Sequence, residues 1–346
     1  MLSAALRFRD TELWNTITET DLFAVNLSSG EIGYCCVMGT MGEHFALSLY
    51  VGRQGFSSYL RTIDSNNLSS YGELFEMSMT LDCTNCDFMA AKDINVDAKK
   101  RIKEYAAAHG LKIRRPNGWP DFVRRRPYRP ESGITEEQDA KNITEALLAA
   151  VEVANAIENG RETGFKYREK YPSRRGGMVV PLLTPTADGK YEWGTTKLPP
   201  YAEQDADPAV LYHNDIMAFK VGNLPKKRNI LARAVYMPFP VEQEGEETPV
   251  YPMMLILMDA EGMLLAPVQL ENSEKGLLDG LDEFGNMMCD LFKSKPATLT
   301  VDNIKTIGLL NDFCNKCGID FRISNKRLED LDEAYAMFLN PFGFGM

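Results

Sequence analysis

TLTVDNIKTIGLLNDFCNKCGIDFR, residues 298–322, is the stretch on which the fold reading turns. Thr298 to Val301 has the composition of a short strand and ends at Asp302. Ile304 to Cys317 carries Leu310, Phe313 and Cys314 at helical spacing. Gly318 then stops the helix, as a left-handed C-cap requires. Ile319 to Arg322 closes the stretch as a second strand. Strand, helix and strand in succession predict a mixed α/β unit.

Upstream, the same unit opens with strands at Asp215–Phe219, Ala232–Met237 and Met253–Met258, then a helix from about Lys275 to Phe292. A similar order appears near the start of the chain. Strands are predicted at Asp21–Val25, Gly33–Met38, Phe45–Val51 and Met77–Leu81, helices near Phe56 and over Asp97–His109, and a closing strand at Leu111–Arg114. Asp21 and Asp215, Asp82 and Asp302, Gly110 and Gly318, and Arg114 and Arg322 correspond in order. The expectation is therefore an α/β (α+β) protein of two similar mixed-sheet units, each of about five strands, related by internal duplication. Between them, Thr135 to Gln138 has capping-box spacing. Ile143, Leu147, Ala150, Val151, Ala154 and Ile157 follow at helical spacing, up to Gly160. Asp188-Gly189 marks a hairpin between Met178–Leu183 and Tyr191–Trp193. The domain division falls at residues 1–200 and 208–346.

Two domains suit a chain of 346 residues. With 44% apolar and 25% charged residues it has the balance of a folded protein. No apolar run approaches the roughly 18 residues that span a bilayer, and the opening residues carry two arginines and no apolar core. No membrane span and no secretory signal are expected. Seven cysteines, an odd number, argue against a disulfide framework and for a cytoplasmic setting. A net charge of −11 disfavours nucleic-acid binding except where basic residues cluster. They cluster between Arg114 and Arg129.

The run Val37 to Tyr50, with Trp119-Pro-Asp-Phe122 and the Arg-Pro stretch after it, resembles the N-terminal domain of an uncharacterised family of bacterial two-domain proteins. Leu257 to Gly262, Pro296 to Asp302, Gly318 to Arg322 and Leu331 to Ala334 are similar to that family's C-terminal domain. The resemblance implies a domain division and no catalytic residues.

Three constellations could carry chemistry. Asp259 and Asp302 end strands, and Asp332 and Glu333 lie on the last helix. Acids so placed resemble the ribonuclease H-like plan, in which they share two divalent ions that activate water. Asp259-Ala-Glu-Gly262 reads equally as a turn, and Asp302 as a helix cap. Cys83 and Cys86, and Cys314 and Cys317, have the spacing of zinc-ligand pairs, although 228 residues separate Cys86 from Cys314. The third is the basic-aromatic segment, in which Arg124, Arg125 and Arg126 could grip an anionic ligand or protein while Trp119 and Tyr128 stack on it. The histidines, His44, His109 and His213, form no triad, and no phosphate-binding or metalloprotease motif is present. The leading expectation is a non-enzymatic binding or interaction protein without cofactor. The alternative is a metal-dependent phosphodiesterase using Asp259, Asp302 and Glu333.

Overall fold

A computed structural model describes residues 1–63, 71–113, 117–161, 163, 165, 171–202, 209–243, 248–271 and 273–339. Arg114 of the basic segment lies outside them. The chain divides into two compact units. The first holds Met1–Asn66, Thr80–Pro127 and Glu131–Ala202, the second Asn67–Met79, Tyr128–Pro130 and Glu203–Met346. The second unit thus takes two short pieces from the stretch that the sequence assigns to the first domain.

In chain order the elements begin with α1 (Leu2–Thr11), β1 (Phe23–Asn26), β2 (Ile32–Met38), β3 (Phe45–Val51) and α2 (Gly52–Ile63). There follow α3 (Tyr71–Met79), which belongs to the second unit, β4 (Cys83–Met89), α4 (Val96–Ala108), β5 (Trp119–Arg125) and β6 (Ser132–Gly133). The 22-residue α5 (Glu137–Glu158) and the hairpin of β7 (Val179–Pro185) and β8 (Tyr191–Lys197) complete the first unit. Its sheet has the order β6-β5-β4-β3-β2-β1-β7-β8, and among the described residues β1–β7 is the only parallel pair. Because strand side chains alternate faces, Val25, Cys35, Leu47 and Cys86 meet Ile143, Leu147 and Ala150 of α5 on one side. Ala24, Tyr34, Tyr50 and Cys83 meet Phe56, Tyr59 and Leu60 of α2 on the other.

The second unit continues with α6 (Asp215–Gly222), β9 (Lys226–Tyr236), β10 (Met253–Asp259), β11 (Val268–Leu270) and α7 (Glu274–Asn286), which runs into a π-helical turn, Met287–Phe292. Then come β12 (Lys295–Val301), α8 (Ile304–Cys317), β13 (Asp320–Ile323) and α9 (Glu329–Leu339). The sheet order is β11-β10-β9-β12-β13. β10 runs antiparallel to both its neighbours, whereas β12 is parallel to β9 and β13. Gly318 caps α8 at φ 65°, as its position requires.

The duplication expected from the sequence does not survive this topology. In the first unit the fourth strand, β4, lies antiparallel beside the third. In the second the fourth strand, β12, lies parallel beside the first. Strand order is a property of non-local pairing, which a shared run of element types does not specify. The first sheet also has eight strands rather than about five.

Local readings change too. Asp215–Phe219 is helix α6, because Asn214 accepts the Met217 N–H at 3.0 Å and Met217, Ala218 and Val221 turn inward. Met77 and Met79 belong to helix α3, so Asp82 precedes its strand instead of ending one. Leu111–Ile113 forms no strand. The capping box at Thr135 is not made, since Glu136 is the N-cap of α5 and caps with no side chain.

Candidate functional site

β9 is apolar along most of its inner length, yet Arg233 sits within it at 4% exposure. A buried guanidinium needs compensating acceptors, and three elements supply them. Nε donates to Asp302 Oδ1 at 3.0 Å, and Nη2 donates to Asp302 Oδ2. Nη1 reaches Asp332 Oδ1 on α9 at 2.7 Å, and Nη2 also donates to the Leu328 carbonyl at 3.1 Å. Arg327 Nε holds the far oxygen of Asp332 at 2.6 Å. Two cations and two carboxylates thus alternate at the C-terminal ends of β9 and β12. A cavity of about 220 Å³ opens beside them, with Glu76, Asn303 and Lys326 in its wall.

This arrangement decides where the expected catalytic carboxylates go. Asp302 and Asp332 converge, but on an arginine. Glu333 is exposed on α9. Asp259 pairs across to Ile230, Ile230 pairs to Leu299, and Asp302 lies three residues further along the chain from Leu299. Strand geometry then separates Asp259 from Asp302 by about 10 Å along the sheet and about 9.5 Å across it, or about 14 Å. Oxygens sharing one Mg²⁺ must each lie about 2.1 Å from it. Asp259 instead serves its turn, accepting the N–H groups of Glu261 at 3.1 Å and Met263 at 2.9 Å. The constellation of Asp259, Asp302 and Glu333 is not formed.

The zinc reading meets a similar obstacle. Cys83 and Cys86 lie three residues apart on a strand, so they point to opposite faces. Cys83 enters the core against α2 and Cys86 the core against α5. Cys314 and Cys317 are buried in the core of the second unit. Burial pushes the thiols of Cys83 and Cys317 up to about 12, which disfavours the thiolate that zinc needs. Among the described residues, no three His, Cys, Asp or Glu side chains are grouped to hold a metal ion.

Within the basic segment, Trp119–Arg125 forms strand β5 rather than an exposed arm. Arg124 Nη1 meets Asp82 at 2.7 Å and its Nε meets Asp139 at 3.1 Å. Arg125 pairs with Glu131 at 2.6 Å, and Arg126 pairs with Glu136 and Asp139. Alternation along β5 sends Arg125 to the opposite face from Arg124, so the three cannot form one surface. Trp119 is 2% exposed in a small core with Ile94 and Ile102. Tyr128 stacks on Tyr236, centroid to centroid 4.6 Å, within the second unit. The first unit's cavity, about 550 Å³, has Arg53 and Arg124 in its wall, opposed by Glu31, Asp82 and Asp139. Of these charges, Arg124 is paired with Asp82 and Asp139, and Arg53 donates to the Pro200 carbonyl at 3.4 Å.

Arg233 is the residue that sequence reasoning passed over. The signal was present, since a lone arginine interrupts the apolar run Ala232 to Met237. A charge inside a strand of that kind is a buried polar group in search of partners. His44 was also left without a partner; its Nε2 lies 3.2 Å from Asp87 Oδ1. That close approach to the Asp87 carboxylate, outweighing partial burial, raises the imidazole above its ordinary value.

No helix among the described residues is long and apolar enough to cross a membrane. No curated protein and no solved structure matches the chain. Residues 220–339 match a family described as Domain of unknown function (DUF6930). Residues 1–174 match another, so a two-domain organisation of uncharacterised families covers most of the length. Since that match takes in 174 of 346 residues, the chain belongs to the family described as Domain of unknown function (DUF7309).

Proposed function

We propose that the protein is a non-enzymatic binding module whose second unit is a ribonuclease H-like sheet carrying an arginine where a nuclease of that plan would carry metal. The sheet order β11-β10-β9-β12-β13, with β10 alone reversed, supports the ribonuclease H-like part. The observation that carries the binding part is the salt bridge of Arg233 to both Asp302 and Asp332. The guanidinium already holds Asp302 bidentately and Asp332 through one hydrogen bond, and desolvates both. It supplies neither a Lewis acid nor a bound water, the two things that a metal brings to phosphodiester hydrolysis. All seven cysteines are free thiols, which supports placing the protein in the reducing cytoplasm. The boundary at residues 200–208 remains our proposed division for the two evolutionary domains.

The test is hydrolysis of single-stranded and duplex DNA, RNA and a chromogenic phosphodiester by the full chain with Mn²⁺ and with Mg²⁺. No metal-dependent turnover is expected. Turnover that disappears in Asp302→Asn would overturn the proposal.

A further inference from the structure

Among the described residues the two sheets end in four edge strands, β6, β8, β11 and β13. An edge presents a row of backbone N–H and C=O groups with which another chain can pair. Proteins blunt such edges by shortness, charge, proline or bulges. β6 has two residues and β11 three, and the four of β13 include Asp320 and Arg322. β8 is different. It runs for seven residues, Tyr191–Lys197, contains no proline, and keeps an unbroken register with β7.

Which backbone groups of β8 face outward follows from the strand beside it. Pro181 stands opposite Thr195 and Pro185 opposite Tyr191, and proline has no N–H to give. The hydrogen-bonded pairs of this antiparallel ladder therefore fall at Glu192, Gly194 and Thr196. The bonds at its two ends agree. The Thr186 N–H donates to the Lys190 carbonyl at 2.9 Å, and the Leu198 N–H to the Met178 carbonyl at 2.8 Å. The N–H and C=O groups of Tyr191, Trp193, Thr195 and Lys197 thus point away from β7, where no further strand lies among the described residues. Gly194, at the middle of β8, is not required to be glycine by its own chain. Its φ is not positive, and a Cβ built on it would meet only the Leu182 carbonyl oxygen, at 3.9 Å. Glycine inside a strand often marks a place where another backbone comes close.

We infer that β8 is a self-association edge, at which two copies of the chain join their β8 strands antiparallel about a two-fold axis through Gly194. Such an interface uses the same patch on both copies, so the strand must complement itself. In this register Tyr191 meets the partner's Lys197, and Trp193 meets the partner's Thr195. These are the residues whose backbone groups face outward, so each pair can exchange both of its hydrogen bonds. Glu192 stands opposite the partner's Thr196, so no like charges are opposed, and an aromatic ring faces a β-branched residue, a favourable cross-strand pair. Gly194 faces its own copy in a non-hydrogen-bonded pair, where Cα atoms approach to about 4.5 Å and side chains crowd most. A foreign strand would give no reason for glycine at the midpoint of β8. A two-fold axis does.

Strand pairing of this length is smaller than a standard interface, so the dimer should be reversible, with a Kd of about 10–100 µM. Sedimentation equilibrium of the full chain, over concentrations bracketing that range, should show the mass rising from 38.9 kDa toward twice that value. Thr195→Pro removes an outward N–H and leaves the bonds to β7, as an edge strand tolerates. Gly194→Lys sets two ammonium groups face to face at the axis. Each should weaken association about tenfold or more, with far-UV circular dichroism unchanged. Gly194→Cys should oxidise to a disulfide-linked dimer, because the pair at the axis lies within disulfide range. Glu192→Cys should not, since its two copies would stand about 13 Å apart along the ladder. Three results would overturn the inference: a monomer throughout, association that survives both Thr195→Pro and Gly194→Lys, or equal cross-linking of the two cysteine variants. The edge belongs to the first unit, and its test is independent of the Arg233 reading.

Discussion

Replacing Arg233 with methionine removes the one cation that Asp302 and Asp332 share. The new side chain nearly fills the space, so packing loss is small and the electrostatic loss dominates. Asp302 is 4% and Asp332 14% exposed at the side chain. Asp332 would keep Arg327, whose Nε lies 2.6 Å away. Asp302 would keep only the Leu328 N–H at 2.8 Å. Leaving a buried charge without its partner costs about 3–5 kcal/mol, and one stranded carboxylate rather than two points to about 3 kcal/mol. At a urea m-value of about 2 kcal/mol/M, the midpoint falls by about 1.5 M.

The three tryptophans, Trp14, Trp119 and Trp193, all lie in the first unit. Their fluorescence therefore reports that unit, and far-UV circular dichroism reports both. The expected result is an early dichroism transition with an unmoved fluorescence midpoint. Arg233→Met/Asp302→Asn should recover more than half of the loss, because it removes the stranded charge as well. The deficit of the single variant should grow as pH rises from about 4 to 7. An unpaired buried carboxylate binds its proton more tightly folded than unfolded, so the folded state is penalised at the higher pH. A loss below about 1 kcal/mol, the worth of an exposed pair, would refute the argument that this ion pair is buried and indispensable.

Thiol labelling of the native protein at mild alkaline pH should modify the half-buried Cys289 and spare the other six cysteines until the chain unfolds. Burial raises Cys83 and Cys317 to about 12 and also pushes Cys35, Cys36, Cys86 and Cys314 well up. Rapid labelling of Cys83 or Cys86 in an otherwise folded protein would contradict this. His44 should titrate in NMR above the ordinary imidazole midpoint, because its pairing with the Asp87 carboxylate outweighs the opposing effects of burial and Arg125. Its stabilising contribution is complete below the unfolded pKa, about 6.5, and is lost as pH rises through the folded one. Asp87→Asn should bring the midpoint down, and an unchanged midpoint would remove the pair from the account.

The elements that could be read directly are those whose cause is local. Helix α8 with its Gly318 cap, the apolar stripe of α5 and the Asp188-Gly189 hairpin each depend on residues a few positions apart. Short apolar runs misled for the same reason. Asp215–Phe219 and Met77–Met79 suit strand or helix alike, and what decides them is a cap at Asn214 in one case and a place in helix α3 in the other. The basic run of β5 looked like a surface because its carboxylate partners, Asp82 and Asp139, lie on other elements.

Composition, periodicity and capping determined that this chain forms mixed α/β units and where several helices stop. Only the tertiary structure decided that the two sheets differ in strand order and that Arg233 meets Asp302 and Asp332. Those partners stand 69 and 99 residues away along the chain. Their meeting is set by the parallel register of β12 on β9 and by the docking of α9. Non-local pairing of this kind leaves no periodic trace in either segment, because each strand satisfies its own backbone equally well beside a different neighbour.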